Sequence, residues 1–298
     1  MDEYEEMLRL NALSEEIVKR YEAGERNFAG IDLRFINISY SCFMDVNFSG
    51  ANLQVSAFRN IYLVNINFTN ANLEKSLFSG YLIGCNLSNT NLREVNFEGT
   101  NLTGVDLTGA DLTSANLSGA KLIGTNLRDA NLTGAKITPS TIFCNTIMPD
   151  GRIENKSPKV IDSQELLKRY AEGEKDFRNI VLDRVDLRGV NLQSINLCDA
   201  HLSHVNLQGA FLEGEISAHF ICCDMRDARL ICTSPDYGNQ PRFTCCDLRR
   251  VQMGGGIDTF GAIGNNFQGS NAHFRCDDGD IFIHNSTWFN GEFIPGPV

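Results

Sequence analysis

The chain has 298 residues, 42% of them hydrophobic and 21% charged, and a formal net charge of −11. No stretch approaches the roughly 18 apolar residues of a membrane-spanning helix, and the start, MDEYEEMLRL, is acidic and lacks the apolar core of a secretory signal. The 10 cysteines are therefore expected as reduced thiols in a cytoplasm, and neither a membrane nor a nucleic acid is expected as a partner.

In chain order, residues 2–12 read as a short acidic helix with Tyr4, Met7 and Leu8 on one face. Ser14 is a credible N-cap for a second helix, Glu15–Ala23, which Gly24 would end. Ile17, Val18 and Tyr21 of that helix are placed to cover the open end of the next element in the chain.

From Phe28 onward the sequence has a period of five. The clearest stretch is Ala110–Ala130, ADLTSANLSGAKLIGTNLRDA. A large apolar residue stands at the centre of each unit, from Phe28, Leu33, Ile38, Phe43 and Phe48 to Phe78. After one missing residue the frame resumes at Leu82 and runs to Ile137, giving 23 units whose centres are all Leu, Ile or Phe. Two positions earlier the residue is small or β-branched, as at Val46, Ala51, Ile66, Ala71, Cys85, Val95 and Ala115. The position just before the centre is often Asn or Asp, and the last position is Gly, Asn or Asp in 16 of the 23 units.

Five fits neither the 3.6-residue period of a helix nor the period of two of a strand, so it is a structural repeat. Two residues per unit point inward and three outward, which suits a short extended segment and a corner. Gly, Asn and Asp best tolerate the positive φ required at the third residue of a type II turn. Four corners would close a coil of about 20 residues, and coils would stack at roughly 4.8 Å. Residues 20 apart then align, so Phe28, Phe48 and Phe68 form one internal ladder. Phe58, Phe78 and, after the missing residue, Phe97 form a second ladder facing it.

This A(D/N)LXX pattern, continuous over 26–139 and again over 175–214, resembles the pentapeptide-repeat family. The resemblance implies an all-β fold, a right-handed quadrilateral parallel β-helix, and is closest to the cytoplasmic pentapeptide-repeat proteins of cyanobacteria. It supplies no single activity.

Ile142 and Ile147 keep the step of five, but Pro149-Asp150-Gly151 cannot continue the corners. The module then restarts. QELLKRYAEGEKDF (164–177) matches EEIVKRYEAGERNF (15–28) at seven of 14 positions, and Asp162 to Glu165 could form a capping box. The expected layout is a helical cap at 1–27, a first solenoid at 28–148, a linker and second capping helix at 149–176, and an irregular second solenoid at 177–298. The second is regular from Phe177 to Leu212, breaks at EGEISAHF, returns at Phe220, Met225 and Leu230, and resumes at Phe243, Leu248 and Met253 after the loop TSPDYGNQPR (233–242).

Charge separates the modules. Residues 28–137 carry 8 acidic and 7 basic side chains, whereas 181–298 carry 14 and 8. Six cysteines, Cys222, Cys223, Cys232, Cys245, Cys246 and Cys276, lie near His219 and His273, but without CxxC or HxxxH spacing. Cys223 and Cys246 fall at the small inward position. His201 and His204 are read as outward surface histidines, and Asp277-Asp278-Gly279-Asp280 as a solvated turn. No residue pattern suggests catalysis, a cofactor site or a metal site. The chain is thus read as a non-enzymatic scaffold for another protein, with self-association as a further mode. The candidate contacts are Asp236 and Tyr237 in the inserted loop and Arg242, Arg249 and Arg250 behind it. Two alternatives stay open: a double-stranded-DNA mimic that binds topoisomerase, and a metal-binding Cys/His-rich module.

Overall fold

The computed structural model describes residues 3–155, 160–233, 241–254, 262–263, 265–266, 268, 270, 286–287 and 293–294. They divide into two compact units, Met1–Ser157 and Pro158–Val298. Both are all-β solenoids of stacked parallel coils, and each begins with a helix.

Each five-residue unit folds by one local rule. The carbonyl of the central residue accepts the N–H three residues on, as from Ala51 to Phe48 at 3.0 Å and from Ala115 to Leu112 at 3.0 Å. The residue two after the centre has positive φ, for example Gly50 at 65°, Asn60 at 50° and Asn70 at 58°. That combination is the type II corner expected from the sequence. The rule is strong enough to impose the same conformation on Val55 at 59° and Phe35 at 65°.

Outside the corners, backbone groups bond to the neighbouring coil. In the first unit four rows of partners run along the stack: Asn27–Asn47–Asn67–Asn86, Asp32–Asn52–Asn72–Asn91, Asn37–Ala57–Leu77–Asn96 and Cys42–Tyr62–Tyr81–Asn101. Centres fill the interior: Phe28, Phe48 and Phe68 stack at 5.3 and 5.5 Å, and Phe58, Phe78 and Phe97 at 4.9 and 5.2 Å. Phe68 meets Phe78 edge-on at 6.5 Å, so the two ladders face each other across the coil.

The small inward position has its own chemistry. Where it is a hydroxyl or thiol, that group donates to the carbonyl of a central residue one coil back: Ser56 to Leu33 at 2.9 Å, Thr90 to Phe68 at 3.0 Å, Thr125 to Leu102 at 2.7 Å and Cys85 to Leu63 at 3.3 Å. These polar atoms are buried and satisfied, which removes the desolvation cost that an unpaired one would carry. Burial alone pushes the Cys85 thiol up to about 12. Cys223 and Cys246 occupy the same position in the second unit, donating to Leu202 at 3.2 Å and Phe220 at 3.3 Å.

The missing residue in the first unit falls at Gly80, whose φ is 116°. Phe58 pairs with Phe78 but Ile61 with Gly80, so the strand runs through the corner with a register shift. A Cβ on Gly80 would lie 2.3 Å from the Ile61 carbonyl oxygen, which demands glycine. Gly214 in the second unit repeats the device: φ is 148°, the register shifts after Gln193, and a Cβ would lie 2.0 Å from the Ile195 oxygen.

Several sequence expectations need correction. A single helix, α1 (Glu3–Glu22), replaces the expected pair. Ser14 is not its N-cap. Its hydroxyl bonds back to the Leu10 carbonyl at 2.9 Å, leaving the helix unbroken, and accepts the Asn37 N–H at 3.1 Å. Ile142 and Ile147 are not centres: Phe143 pairs with Leu122, so this coil is one residue longer and Phe143 takes the core position. Ile137 is 43% exposed, at the end of the regular stack. His201 is not a surface residue but is buried, and its ring lies 4.9 Å from that of His219.

The helix of the second unit, α2 (Ser163–Ala171), starts at Asp162, whose side chain accepts the Glu165 N–H at 2.8 Å. The repeated KRY triplet is structural in both units. Arg20 and Arg169 form forked ion pairs with Glu25 and Glu174, and their guanidinium groups lie 4.9 and 5.3 Å from the Phe28 and Phe177 rings. The Tyr21 hydroxyl accepts the Met44 N–H at 3.1 Å, and Tyr170 accepts from Gln193 at 2.7 Å. No helix among the described residues is long and apolar enough to cross a membrane.

Candidate interaction face of the second unit

The outward residues beside each centre differ between the units, because the residue just before the centre is held by the corner itself. When it is Asn or Asp, its side-chain oxygen accepts the N–H two residues on, as Asn67 does from Thr69 at 3.0 Å. In the first unit the free amide then reaches the neighbouring coil. Asn47 donates to Asn27 at 3.0 Å, Asn67 to Asn47 at 3.2 Å and Asn91 to Asn72 at 3.0 Å. The result is a neutral amide ladder.

The second unit four times puts Asp at this position and Arg two residues later, a pairing the first unit makes at Asp32 and Arg34. Arg178 forks onto Asp176, Arg188 onto Asp186, Arg226 onto Asp224 and Arg249 onto Asp247, with closest contacts of 2.6, 2.7, 2.6 and 2.5 Å. Asp186, Asn206, Asp224, Asp247 and Asn266 are bridged partners on successive coils, so the last two forks are adjacent rungs. Arg226 also lies 3.7 Å from Asp247, tying rung to rung. At the corner behind them, Arg250 forks onto Asp227 across the coils at 2.5 and 2.7 Å. The Arg hydrogen bonds hold the Asp176, Asp186, Asp224 and Asp227 carboxyls below the usual range.

Of the five candidate contact residues, Asp236 and Tyr237 lie outside the described residues. Arg242 is exposed at the start of the strand Arg242–Thr244, just after the inserted loop. Arg249 and Arg250 stand together on the ladder, their side chains 38% and 61% exposed although both are ion-paired. Arg229 lies with its guanidinium 5.1 Å from the Phe211 ring, on a different row. The Asp partners were not singled out from sequence. The recurring D-L-R spacing at 186–188 and 247–249, and D-M-R at 224–226, was the available signal.

A second group has no sequence signal at all. Asp183, His204, Cys222 and Cys245 come from four successive coils and meet at one corner. The His204 imidazole is 3.4 Å from an Asp183 carboxylate oxygen and 2.9 Å from the Ser203 hydroxyl. Hydrogen bonds to Asp183 and to Cys222 raise His204 to about 9, and bonds from Cys245 and His204 lower Cys222 to about 5. His273, Cys276 and the 277–280 turn lie outside the described residues.

The family described as Pentapeptide repeats matches in 8 copies over residues 41–80, 81–119, 110–138 and 180–214. No curated protein matches the chain. Among solved structures, the chain is similar to HetL, a pentapeptide repeat protein involved in heterocyst differentiation regulation from the cyanobacterium Nostoc sp. strain PCC 7120. The identity is 22% over 94% of this chain and 98% of that one, with a TM-score of 0.26. It is similar to Rfr23 from the cyanobacterium Cyanothece 51142, at 27% identity over 42% of this chain and 95% of that one, TM-score 0.24. It is also similar to QnrB1, a plasmid-mediated fluoroquinolone resistance protein, at 17% identity over 78% of this chain and 90% of that one, TM-score 0.27. Over residues 41–138 and 180–214 the chain is thus built of pentapeptide repeats.

Proposed function

We propose that the chain is a non-catalytic scaffold that binds another protein through the Asp–Arg face of the second unit and the 233–242 segment. One observation carries this reading: Arg249 and Arg250 are pre-oriented by Asp247 and Asp227 yet remain substantially exposed. A guanidinium fixed in a fork loses less entropy on binding than a free one and can still offer its remaining N–H groups to a partner carboxylate or carbonyl. Arg and Tyr are also the side chains that most often dominate interface energetics. The interior offers no competing place, since the centres fill it from Phe28 to Leu127 and from Phe177 to Leu248. We place the work of this protein in the cytoplasm and the two capped modules at 1–148 and 149–298.

The test is photo-crosslinking. A benzophenone amino acid at Gln208, on the same face, is compared with one at Thr133 of the first unit in an extract of the source cells. A specific adduct from Gln208 alone, weakened at least tenfold in the Arg249→Ala/Arg250→Ala background, supports the face. Equal adducts from both positions, or an adduct indifferent to the two arginines, refutes it.

A further inference from the structure

The corner that carries Arg184, His204, Cys222 and Cys245 is a column of left-handed residues, with φ of 55°, 52°, 52° and 54°. The N–H of Arg184 reaches Ser203, that of His204 reaches Ile221, and that of Cys222 reaches Thr244, at 2.8 to 2.9 Å. Identical backbone conformations on hydrogen-bonded coils send the side chains out in parallel. Cys222 and Cys245 come directly after the paired residues Ile221 and Thr244, so they are in-register neighbours about 4.8 Å apart at Cα. That spacing falls within the roughly 4.4–6.8 Å that a disulfide spans. Both are thiols and both are half-buried at the surface, unlike Cys223 and Cys246 behind them.

We propose that Cys222 and Cys245 form a thiol–disulfide exchange site that takes a small-molecule disulfide, such as oxidised glutathione, as its oxidant. Cys222 is the attacking sulfur. Cys245 and His204 both hydrogen-bond to it and lower its pKa, to about 5. His204 is aligned by Asp183, whose side chain is fully buried and also faces Arg184 at 3.6 Å. His204 and Cys222 each favour the charged form of the other, a thiolate beside an imidazolium.

In the reaction, the Cys222 thiolate attacks one sulfur of the disulfide RSSR, forming Cys222–S–S–R and expelling RS⁻, which takes the His204 proton. Cys245 then attacks the Cys222 sulfur, forming the Cys222–Cys245 bond and expelling the second RS⁻, which takes the Cys245 proton. The protein dithiol loses two electrons and RSSR becomes two RSH. Parallel stacking holds the two Cβ atoms near the coil spacing rather than the closer approach of about 3.8 Å that a relaxed disulfide prefers, so the bridge is readily reduced again.

A metal centre fits this geometry poorly. Four donors taken from consecutive coils lie along a line of roughly 14 Å, whereas a tetrahedral ion needs all of them within about 2.3 Å of one point. Among the described residues no group of His, Cys, Asp and Glu converges in that way.

The experiment treats the reduced full-length protein with oxidised glutathione from pH 5 to 9 and tracks each cysteine by mass spectrometry. The expected product is a Cys222–Cys245 bridge already forming at pH 6, with Cys223 and Cys246 unmodified. Cys245→Ser should stall as a glutathione adduct on Cys222, and Cys222→Ser should form neither. His204→Asn, chosen because Asn tolerates positive φ, should slow the step at pH 6 by about tenfold and move its rise toward the pH of an ordinary thiol. Three results overturn the proposal. One is a Cys222 pH profile that matches an ordinary thiol and ignores His204. Another is a wild-type adduct that never passes to Cys245. The third is a stoichiometric metal ion that both thiols hold in the purified protein.

Discussion

The two solenoids are built by one rule and dressed differently. In the first, the outward position before each centre is mostly Asn, and its amide bonds to the next Asn along the stack, as at Asn27, Asn47 and Asn67. In the second, Asp at that position recurs with an Arg two residues on as its partner, as at Asp224–Arg226 and Asp247–Arg249. Where the corner N–H is accepted by a side chain at that position, amide and carboxylate oxygens both do it, so the choice between them is not set by the corner. The difference therefore belongs to the surface: mainly amides bonded coil to coil on the first unit, where Asp32–Arg34 is the one such fork among the described residues, and repeated Asp–Arg forks on the second.

The largest effects test what the units share. Gly80→Ala and Gly214→Ala each place a Cβ 2.3 and 2.0 Å from a carbonyl oxygen of the coil behind. Each should cost about 3 kcal/mol or more. If either variant melted like wild type by calorimetry, the register shift would not be the reason for glycine there. Next in size are the fully buried centres: Leu112→Ala in the first unit and Leu207→Ala in the second should each cost about 2–5 kcal/mol. Thr113→Ala, at an outward position, should cost about 1 kcal/mol, because its hydroxyl donates to Asp111 and accepts from Asn131. Denaturant unfolding separates these, and equal losses for Leu112→Ala and Thr113→Ala would erase the inward–outward distinction.

Smaller effects test the contrast. Val55 is a β-branched residue at φ 59°, so Val55→Asn should stabilise the first unit by about 1 kcal/mol. His204 should give the second unit a pH response that the first lacks. Its pKa is raised from 6.5 to about 9, so its stabilising contribution is fully present below 6.5 and is lost as pH rises through about 9. A melting curve of His204→Asn against wild type should show that difference shrink above pH 9, and a constant difference would remove His204 from the account. Smallest of all is the expected effect on gyrase supercoiling, which is none at micromolar protein. A DNA mimic needs unneutralised carboxylates at phosphate-like spacing, and the second unit's rows pair theirs with Arg. Salt-sensitive inhibition would restore that alternative.

The core was legible in the sequence because stacking is a matter of counting. Phe28, Phe48 and Phe68 are 20 apart and stack. Counting also explains the failures. Phe143, rather than Ile142, takes the core position because its coil has one residue more. The Asn before each centre was visible as a pattern, but its cause, an N–H two residues on and an amide one coil away, needs coordinates. The His204–Cys222–Cys245 corner was hidden for the same reason as Phe143. Leu202 pairs with Phe220 and Phe220 with Phe243, coils of 18 and 23 residues, so no fixed period aligns those side chains.

Those unequal coils have a consequence for how such a chain can change over time. In a helix or an alternating strand, one inserted residue rotates everything downstream to the wrong face. Here each coil pairs afresh with the one before it, so a gain or loss of residues ends where the next row of partners begins. Asp224 meets Asp247 across the loop-bearing coil as squarely as Asp186 meets Asn206 across a regular one. The architecture confines length changes to single coils, so a lineage can gain, lengthen or discard a surface loop without rewriting the sequence on either side.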